Sequence, residues 1–259
     1  MRIENAVVVI TGGGSGIGAA LARRFSADRA ATVVVADLDE AAACAVADEV
    51  GGVGRACDVT SEAEIARLVD RTLNDHGRVD LFCSNAGLAT GLGIEAPDST
   101  WQLAFDIHVM AHVYAARAVL PAMLERGTGY LLNTASAAGL LTAPGDAPYT
   151  VSKHAAVAFA EWLALTYGGR GIGVSVLCPM GVATPLLERP LAEGDPSARA
   201  VAKLGEVVAP EQVADAVAAG LAQNRFLILP HPQVGTFWAQ KASDPDRWLR
   251  GMRRRLGQP

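Results

Sequence analysis

The sequence predicts a single-domain, doubly wound α/β fold, a Rossmann-type parallel sheet of seven strands flanked by helices, on three observations. Short β-branched runs alternate with longer helical patterns along the whole chain of 259 residues. The strand-like runs are apolar on both faces instead of alternating, as expected when helices cover both sides of a parallel sheet. The first of them runs directly into a glycine-rich turn and a helix. Right-handed crossovers then join successive strands.

Taken in order, "AVVVIT" (6–11) is the first strand, followed by a helix at 16–28. "ATVVVAD" (31–37) precedes a helix at 39–50, and "GRACDV" (54–59) precedes one at 61–76. In the latter, Ser61 and Glu64 have the spacing of a capping box and Gly77 that of a stop signal. "VDLFCSNAG" (79–87) leads into a long helix at 99–126, and "GYLLNTAS" (129–136) into one at 149–168. "GVSVLCP" (173–179), a helix at 210–223 and "FLILP" (226–230) complete the pattern. Two segments fall outside it. Residues 180–209 are rich in Pro and Gly and are expected to form an irregular substrate lid. The tail, about 231–259, carries Phe237, Trp238 and Trp248 beside its arginines and is expected to pack amphipathically on the body or on a neighbouring subunit.

Composition narrows the function classes. With 51% hydrophobic and 19% charged residues the chain can build a sizeable core and shows no sign of disorder. A formal net charge of −5 gives no electrostatic case for nucleic acid or an anionic membrane as partner. The basic end, "RGMRRRLGQP", reads as a solvated terminal helix. No apolar run reads as a membrane span, and the first strand begins too early to leave room for a signal peptide. Cys44, Cys57, Cys83 and Cys178 form no CxxC pair, so reduced thiols in the cytoplasm are expected.

Three groups of residues carry chemistry. In "TGGGSGIG" (11–18), Gly12, Gly16 and Gly18 let the backbone turn sharply while the helix beginning near Gly16 aims its first amides at a phosphate. An ordinary tight turn is the bland alternative. Asp37, at the end of the second strand, can accept hydrogen bonds from both hydroxyls of an adenosine ribose and would repel a 2′-phosphate. No Arg or Lys lies in 11–18 or immediately after Asp37, which favours NAD over NADP, against the alternative of a simple turn residue.

The third group is Ser136, then Tyr149 and Lys153, the last two at i,i+4 on one helix face. An ammonium about 4 Å from a phenol is worth on the order of 4 kcal/mol at an effective dielectric near 20. That would lower the phenol pKa by up to about 3 units before desolvation pushes back. Tyr149 could then exchange a proton with an alcohol while Ser136 hydrogen-bonds the same oxygen.

Gly12, Gly16 and Gly18, Asp58 in "CDV", "NAG" at 85–87, and Ser136, Tyr149 and Lys153 together resemble the short-chain dehydrogenase/reductase family, in order from about residue 5 to 230. The resemblance implies hydride transfer between NAD(P) and an alcohol or carbonyl, with Tyr149 as general acid/base and Lys153 lowering its pKa and hydrogen-bonding the nicotinamide ribose. It implies a cofactor cleft lined by Gly12, Ser15, Gly16, Ile17, Gly18, Asn85, Ala86 and Gly87, with Asp58 and Val59 beside the adenine. Pro179, Val182 and Thr184 fall near the nicotinamide, where Met180 stands in place of the family's glycine and is expected to reach toward the substrate. The same resemblance implies a homodimer or homotetramer built through helices 99–126 and 149–168, which read as apolar nearly all round.

His108 stands where the family has a catalytic asparagine that holds a proton-relay water, and a neutral imidazole could hold that water. His108 and His112 also have the i,i+4 spacing of two zinc ligands, but no third ligand is near them, and no metal is expected. The leading expectation is an NAD-dependent oxidoreductase for a hydrophobic secondary alcohol and its ketone, from an apolar pocket of Leu88, Leu140, Leu141, Met180, Leu186 and Leu187. The alternative, motivated by His108, is a catalytically weak NAD-binding scaffold or sensor.

Overall fold

The computed structural model describes residues 1–255, so the last four residues of the basic tail lie outside it. The seven strands are β1 (Val7–Thr11), β2 (Thr32–Asp37), β3 (Val53–Ala56), β4 (Leu81–Ser84), β5 (Gly129–Thr134), β6 (Ile172–Leu177) and β7 (Leu227–Ile228). All are parallel, in the order β3-β2-β1-β4-β5-β6-β7. Val8 pairs with Val33 on one side and Leu81 on the other, so the winding reverses between β1 and β4. A reversal of that kind leaves a crevice beyond the carboxyl ends of the strands.

Alternation along each strand divides the core into two layers. Val8, Ile10, Val33, Val35, Leu81 and Leu132 pack under α1 (Gly16–Ala27), α2 (Glu40–Val50) and α10 (Pro210–Ala222). Val9, Val34, Phe82, Leu131 and Val176 face α3 (Glu62–His76), α5 (Ala111–Arg126) and α7 (Ala147–Tyr167). Each large side chain buried in this way contributes roughly 1.5–3 kcal/mol.

The strands at 54–59, 79–87 and 226–230 are shorter than the sequence suggests. Asp58, Val59 and Asn85–Gly87 lie in loops beyond β3 and β4, where they face the crevice instead of pairing. The capping box at Ser61 is only half formed. Ser61 Oγ accepts from the Glu64 amide at 3.4 Å, but the Glu64 carboxylate turns to the Asp58 amide at 2.8 Å, tying the β3 loop to α3.

The long helix is α4 (Asp98–Phe105), a π turn (Asp106–Met110) and α5 without a break, ended by Gly127 at φ +67°. Over Asp98–Arg126 it is long and apolar enough to cross a membrane, which the sequence reading did not anticipate. In the fold it is a core helix, packed on β4, β5, α3 and α7. Residues 180–209, expected to be irregular, form α8 (Pro185–Ala192) and α9 (Pro196–Leu204). The ends of this excursion are pinned together, Val208 donating to the Gly181 carbonyl and Ala183 to the Val208 carbonyl. The tail folds as α11 (Gln233–Ser243) and α12 (Pro245–Arg255), and Lys241 Nζ donates to the Leu140 carbonyl at 2.7 Å on the short α6 (Ala138–Leu141).

Asn85 joins three strands at the mouth of the crevice. Its amide nitrogen donates to the Thr11 and Gly12 carbonyls at 3.1 and 3.2 Å, and its amide oxygen accepts from Thr134 Oγ1 at 3.2 Å. Asn85→Ala should therefore cost about 1–3 kcal/mol, the usual penalty for stranding buried polar groups. At about 2–4 °C per kcal/mol this is a fall of several degrees in Tm, readable by thermal denaturation. An unchanged Tm would show that the strand ends hold without this side chain.

Candidate active site

One cavity of about 820 Å³ runs along the carboxyl ends of the strands. At one end it is lined by Gly12, Ser15, Gly16, Ile17, Asp37, Asp58 and Val59, and at its middle by Asn85–Gly87, Ser136, Tyr149, Lys153, Pro179, Val182 and Thr184. Among the site residues expected from sequence, Gly18 and His108 stand behind this wall.

The glycine turn is built for close approach. Gly12 has φ +62°, and a Cβ there would lie 2.7 Å from Ala86 Cα. A Cβ on Gly18 would run into the Gly12 carbonyl oxygen, so α1 can start against the turn only because Gly18 has none. Gly16, at φ +51°, faces Thr184. Asp37 Oδ2 accepts from the Gly14 amide at 2.9 Å and Oδ1 from the Asp39 amide at 3.1 Å, so its carboxylate is held at the end of the cavity. A dinucleotide fits this arrangement: bare backbone and helix N-terminus for its phosphates, a fixed carboxylate for its ribose, and Asp58 and Val59 flanking the same end.

Tyr149 and Lys153 project from the first turns of α7. Lys153 is 3% exposed, its Nζ donates to the Thr134 carbonyl at 3.0 Å, and it lies 5.6 Å from the centre of the Tyr149 ring. Ser136 is held by the Ala138 amide, which donates to its Oγ at 3.1 Å. The expected lowering of the phenol pKa does not hold in this structure. Burial pushes Tyr149 up to about 12, hydrogen bonding by Ser136 opposes the rise, and the Asp146 charge adds to it. Burial also pulls Lys153 down to about 7, so at neutral pH the ammonium is only partly charged and its pull on the phenol is correspondingly small. Desolvation outweighs the pair attraction that the i,i+4 spacing suggested.

His108 also differs from expectation. It sits in the π turn, fully buried, with its ring edge-on to Tyr149 at 5.4 Å between centroids. Its Nε2 accepts from the Leu88 amide at 3.1 Å, and its Nδ1 lies 2.8 Å from Ser152 Oγ. Ser152 gives its one proton to the carbonyls of the preceding turn, at 2.7 Å to Pro148, so Nδ1 is the protonated nitrogen and donates to Ser152. Both ring nitrogens are therefore committed, and neither is free to hold a relay water. Burial, then the nearby Lys153 charge, keeps this imidazole neutral. His112 does not join it. Burial and Lys153 lower its pKa to about 3, and neither of its nitrogens has a partner among the described residues. No group of three metal-ligating side chains occurs among the described residues.

The substrate side of the cavity is lined by Leu88, Leu141, Met180, Leu186 and Leu187 as anticipated, but not by Leu140, which packs into the core. The sequence reading missed the contribution of the tail: Phe237, Trp248 and Met252 complete the wall, with the Phe237 and Trp248 rings 5.9 Å apart. It also missed His231, which accepts from the Met180 amide at Nδ1 and donates to the Gly181 carbonyl at Nε2, both at 3.1 Å. A histidine directly after the last strand was the available signal.

The family model for short chain dehydrogenases matches residues 6–193. A 1-deoxy-11-beta-hydroxypentalenate dehydrogenase of Streptomyces exfoliatus is 38% identical over 197 residues, 73% of this chain and 71% of its own. A CLA biosynthesis dehydrogenase/reductase of Lactiplantibacillus plantarum is 33% identical over 258 residues, covering 89% of each. Among solved structures, a short-chain dehydrogenase/reductase from Burkholderia phymatum in complex with NAD superposes with a TM-score of 0.86 at 30% identity, over 95% of this chain and 96% of that one.

His108→Ala strands the Leu88 amide and removes the donor to Ser152 Oγ, and should cost about 1–3 kcal/mol of stability. It should also slow turnover several-fold while leaving NADH affinity, measured by fluorescence titration, near wild type. His108→Asn restores an acceptor for Leu88 and should recover much of both losses. An alanine variant with wild-type Tm and rate would remove His108 from the site.

Proposed function

The chain belongs to the short-chain dehydrogenase/reductase family and is an oxidoreductase, and we propose that it is an NAD-dependent dehydrogenase interconverting an apolar secondary alcohol and its ketone. The observation that carries the proposal is the cavity with Asp37 at one end, Ser136, Tyr149 and Lys153 at its middle and, beyond them, a chamber lined mostly by apolar side chains, with Arg189, Glu193, Asp195 and Arg255 also in its wall. A carboxylate offers about four acceptor positions. Two of those on Asp37 are taken by the Gly14 and Asp39 amides, which leaves two for the paired hydroxyls of an adenosine ribose. A 2′-phosphate would face a fixed negative charge, and among the described residues none of those lining this end is basic. These features support NAD over NADP.

When bound, NAD supplies the hydride acceptor. Ser136 hydrogen-bonds the substrate oxygen, and Tyr149 takes the alcohol proton in oxidation or returns it in reduction. Lys153, anchored by Thr134, favours the phenolate when it carries its proton and offers its remaining hydrogens to the cofactor ribose. Leu141, Met180, Leu186, Phe237 and Trp248 exclude water around the carbon that reacts. The scaffold reading loses its motive, because His108 is accounted for by its bonds to Leu88 and Ser152. The four cysteines are free thiols, as a reducing cytoplasm would keep them.

A homo-oligomer is part of the same proposal. On α4 and α7, Leu103, Val151, Trp162 and Leu165 remain exposed, Leu165 by 87%, with Phe159 and Trp162 stacked at 6.2 Å. Apolar surface of this kind on two neighbouring helices suits a second copy of the chain.

Three measurements follow. Across a panel of apolar secondary alcohols, NADH should form with NAD and at least tenfold more slowly with NADP, and Tyr149→Phe should abolish it. Failure of the wild type on every alcohol and ketone would return the scaffold reading. Because burial raises the phenol pKa, the basic form is scarce at neutral pH. Alcohol oxidation should therefore accelerate as pH rises above about 7, while ketone reduction, which needs the phenol, should not. Trp162→Glu combined with Leu165→Glu should reduce the mass measured by light scattering to that of one chain; an unchanged mass would place the interface elsewhere.

A further inference from the structure

We propose that Asp146 is a positioning residue that fixes Tyr149 and seats the substrate lid through one fully used carboxylate. Asp146 is 5% exposed and lies just before α7. Its Oδ1 accepts from the Tyr149 amide at 3.1 Å and from Thr90 Oγ1 at 2.5 Å. Its Oδ2 accepts from the Thr90 and Gly91 amides at 2.7 and 2.8 Å. Four donors therefore meet about four acceptor positions. One of those donors is the backbone of the catalytic tyrosine, and the other three belong to the loop that follows the cofactor-lining residues Asn85–Gly87.

The same loop receives the lid. A Cβ on Gly91 would lie 3.0 Å from Asp195 Oδ2, and one on Gly145 would collide with Ser197 Oγ. Asp195 caps α9 and Ser197 lies in its first turn. The lid helix thus begins against two glycines, one in the loop Asp146 gathers and one beside Asp146 itself. Displacement of this carboxylate would move the tyrosine backbone and the lid seat together. An asparagine cannot replace it, because a carboxamide oxygen offers only two acceptor positions and its nitrogen would confront an amide N–H.

The charge has a separate effect. The groups facing the phenol are Asp146 at the cap of α7, Lys153 on α7, Ser136 after β5, Cys178 after β6, and the neutral His108 of the π turn. Asp146 is the carboxylate that acts on the phenol, and it acts to raise the phenol pKa. Its removal should move the alkaline rise of alcohol oxidation to lower pH.

The assignment rests on Tyr149 as the acid/base, and its test separates the two. Hydrogen exchange on the full-length protein should show the amides of Thr90, Gly91 and Tyr149 exchanging at least tenfold faster in Asp146→Asn, with β1 and β4 amides unchanged. This readout requires no turnover. In kinetics, kcat/KM should fall at least tenfold, NADH affinity should stay within about twofold, and the alkaline rise should shift to lower pH. Thr90→Val, which deletes one of the four donors, should produce a smaller loss of the same kind with no shift in the pH profile, and serves if Asp146→Asn folds poorly. Wild-type exchange at all three amides, or wild-type kcat/KM with an unmoved pH profile, would overturn the assignment while leaving Tyr149 in its role. Faster exchange throughout the sheet would overturn it too, by reducing Asp146 to a general stabiliser.

Discussion

A buried lysine beside a half-buried tyrosine imposes the constraint to which the rest of the site responds. Water is the best solvent for an ammonium, and Lys153 has given it up for one protein carbonyl, that of Thr134. The cost appears as an ammonium pKa drawn down to about 7 and a phenol pKa raised to about 12. Neighbouring groups hold the geometry against that cost. Asn85 fixes the Thr134 side chain of the residue whose carbonyl receives Lys153. A pair so poorly solvated is sensitive to any charge placed beside it, and the surrounding groups are accordingly hydroxyls, amides and a neutral imidazole, with Asp146 kept to the backbone side of the tyrosine.

What could be read from the sequence follows from how local each feature is. The strands, the glycine turn and the Tyr149–Lys153 spacing are each written within a few residues, and each lies close to where it was expected. The role of His108 is not local. Its partners are the Leu88 amide, twenty residues earlier, and Ser152, forty-four residues later, and only the π turn brings the ring between them. An α-helical reading of "FDIHVMAH" therefore left a free imidazole for a proton relay where the fold has none. The direction of the Tyr149 shift was missed for a related reason: spacing reveals a charge partner but not the depth at which the pair is buried.

The lid was misread through composition. Pro185, Pro190 and Pro196 made 180–209 look irregular, yet two of these prolines stand at helix starts, where the missing N–H costs nothing. The apolar side chains of α8 face a cavity instead of a core, so no residue of α8 is fully buried. In the tail, α12 is basic on the whole, and Trp248 and Met252 from it complete the chamber wall while Leu249 stays exposed. A sequence pattern cannot distinguish an apolar stripe that meets a core from one that meets a substrate.

Chemistry and selectivity consequently rest on different parts of the chain. The cofactor turn, Ser136, Tyr149 and Lys153 stand at the ends of β1, β5 and the start of α7, among the most deeply packed elements. Much of the chamber wall comes from α8, α9, α11 and α12, surface helices with few buried residues, and the rest from Leu88, Leu141 and Met180. Substitution in those helices changes the shape offered to a substrate at little cost in folding free energy, because little core surface is lost. A few polar contacts hold the backbone where the two parts meet: the Lys241 bond to Leu140, the His231 bonds to Met180 and Gly181 and, wholly on the side of the chemistry, the Asp146 cluster. Each fixes a backbone next to the reacting centre from a residue outside it. The hydride-transfer machinery can thus remain constant while the lid and tail are remodelled, provided that these contacts are kept.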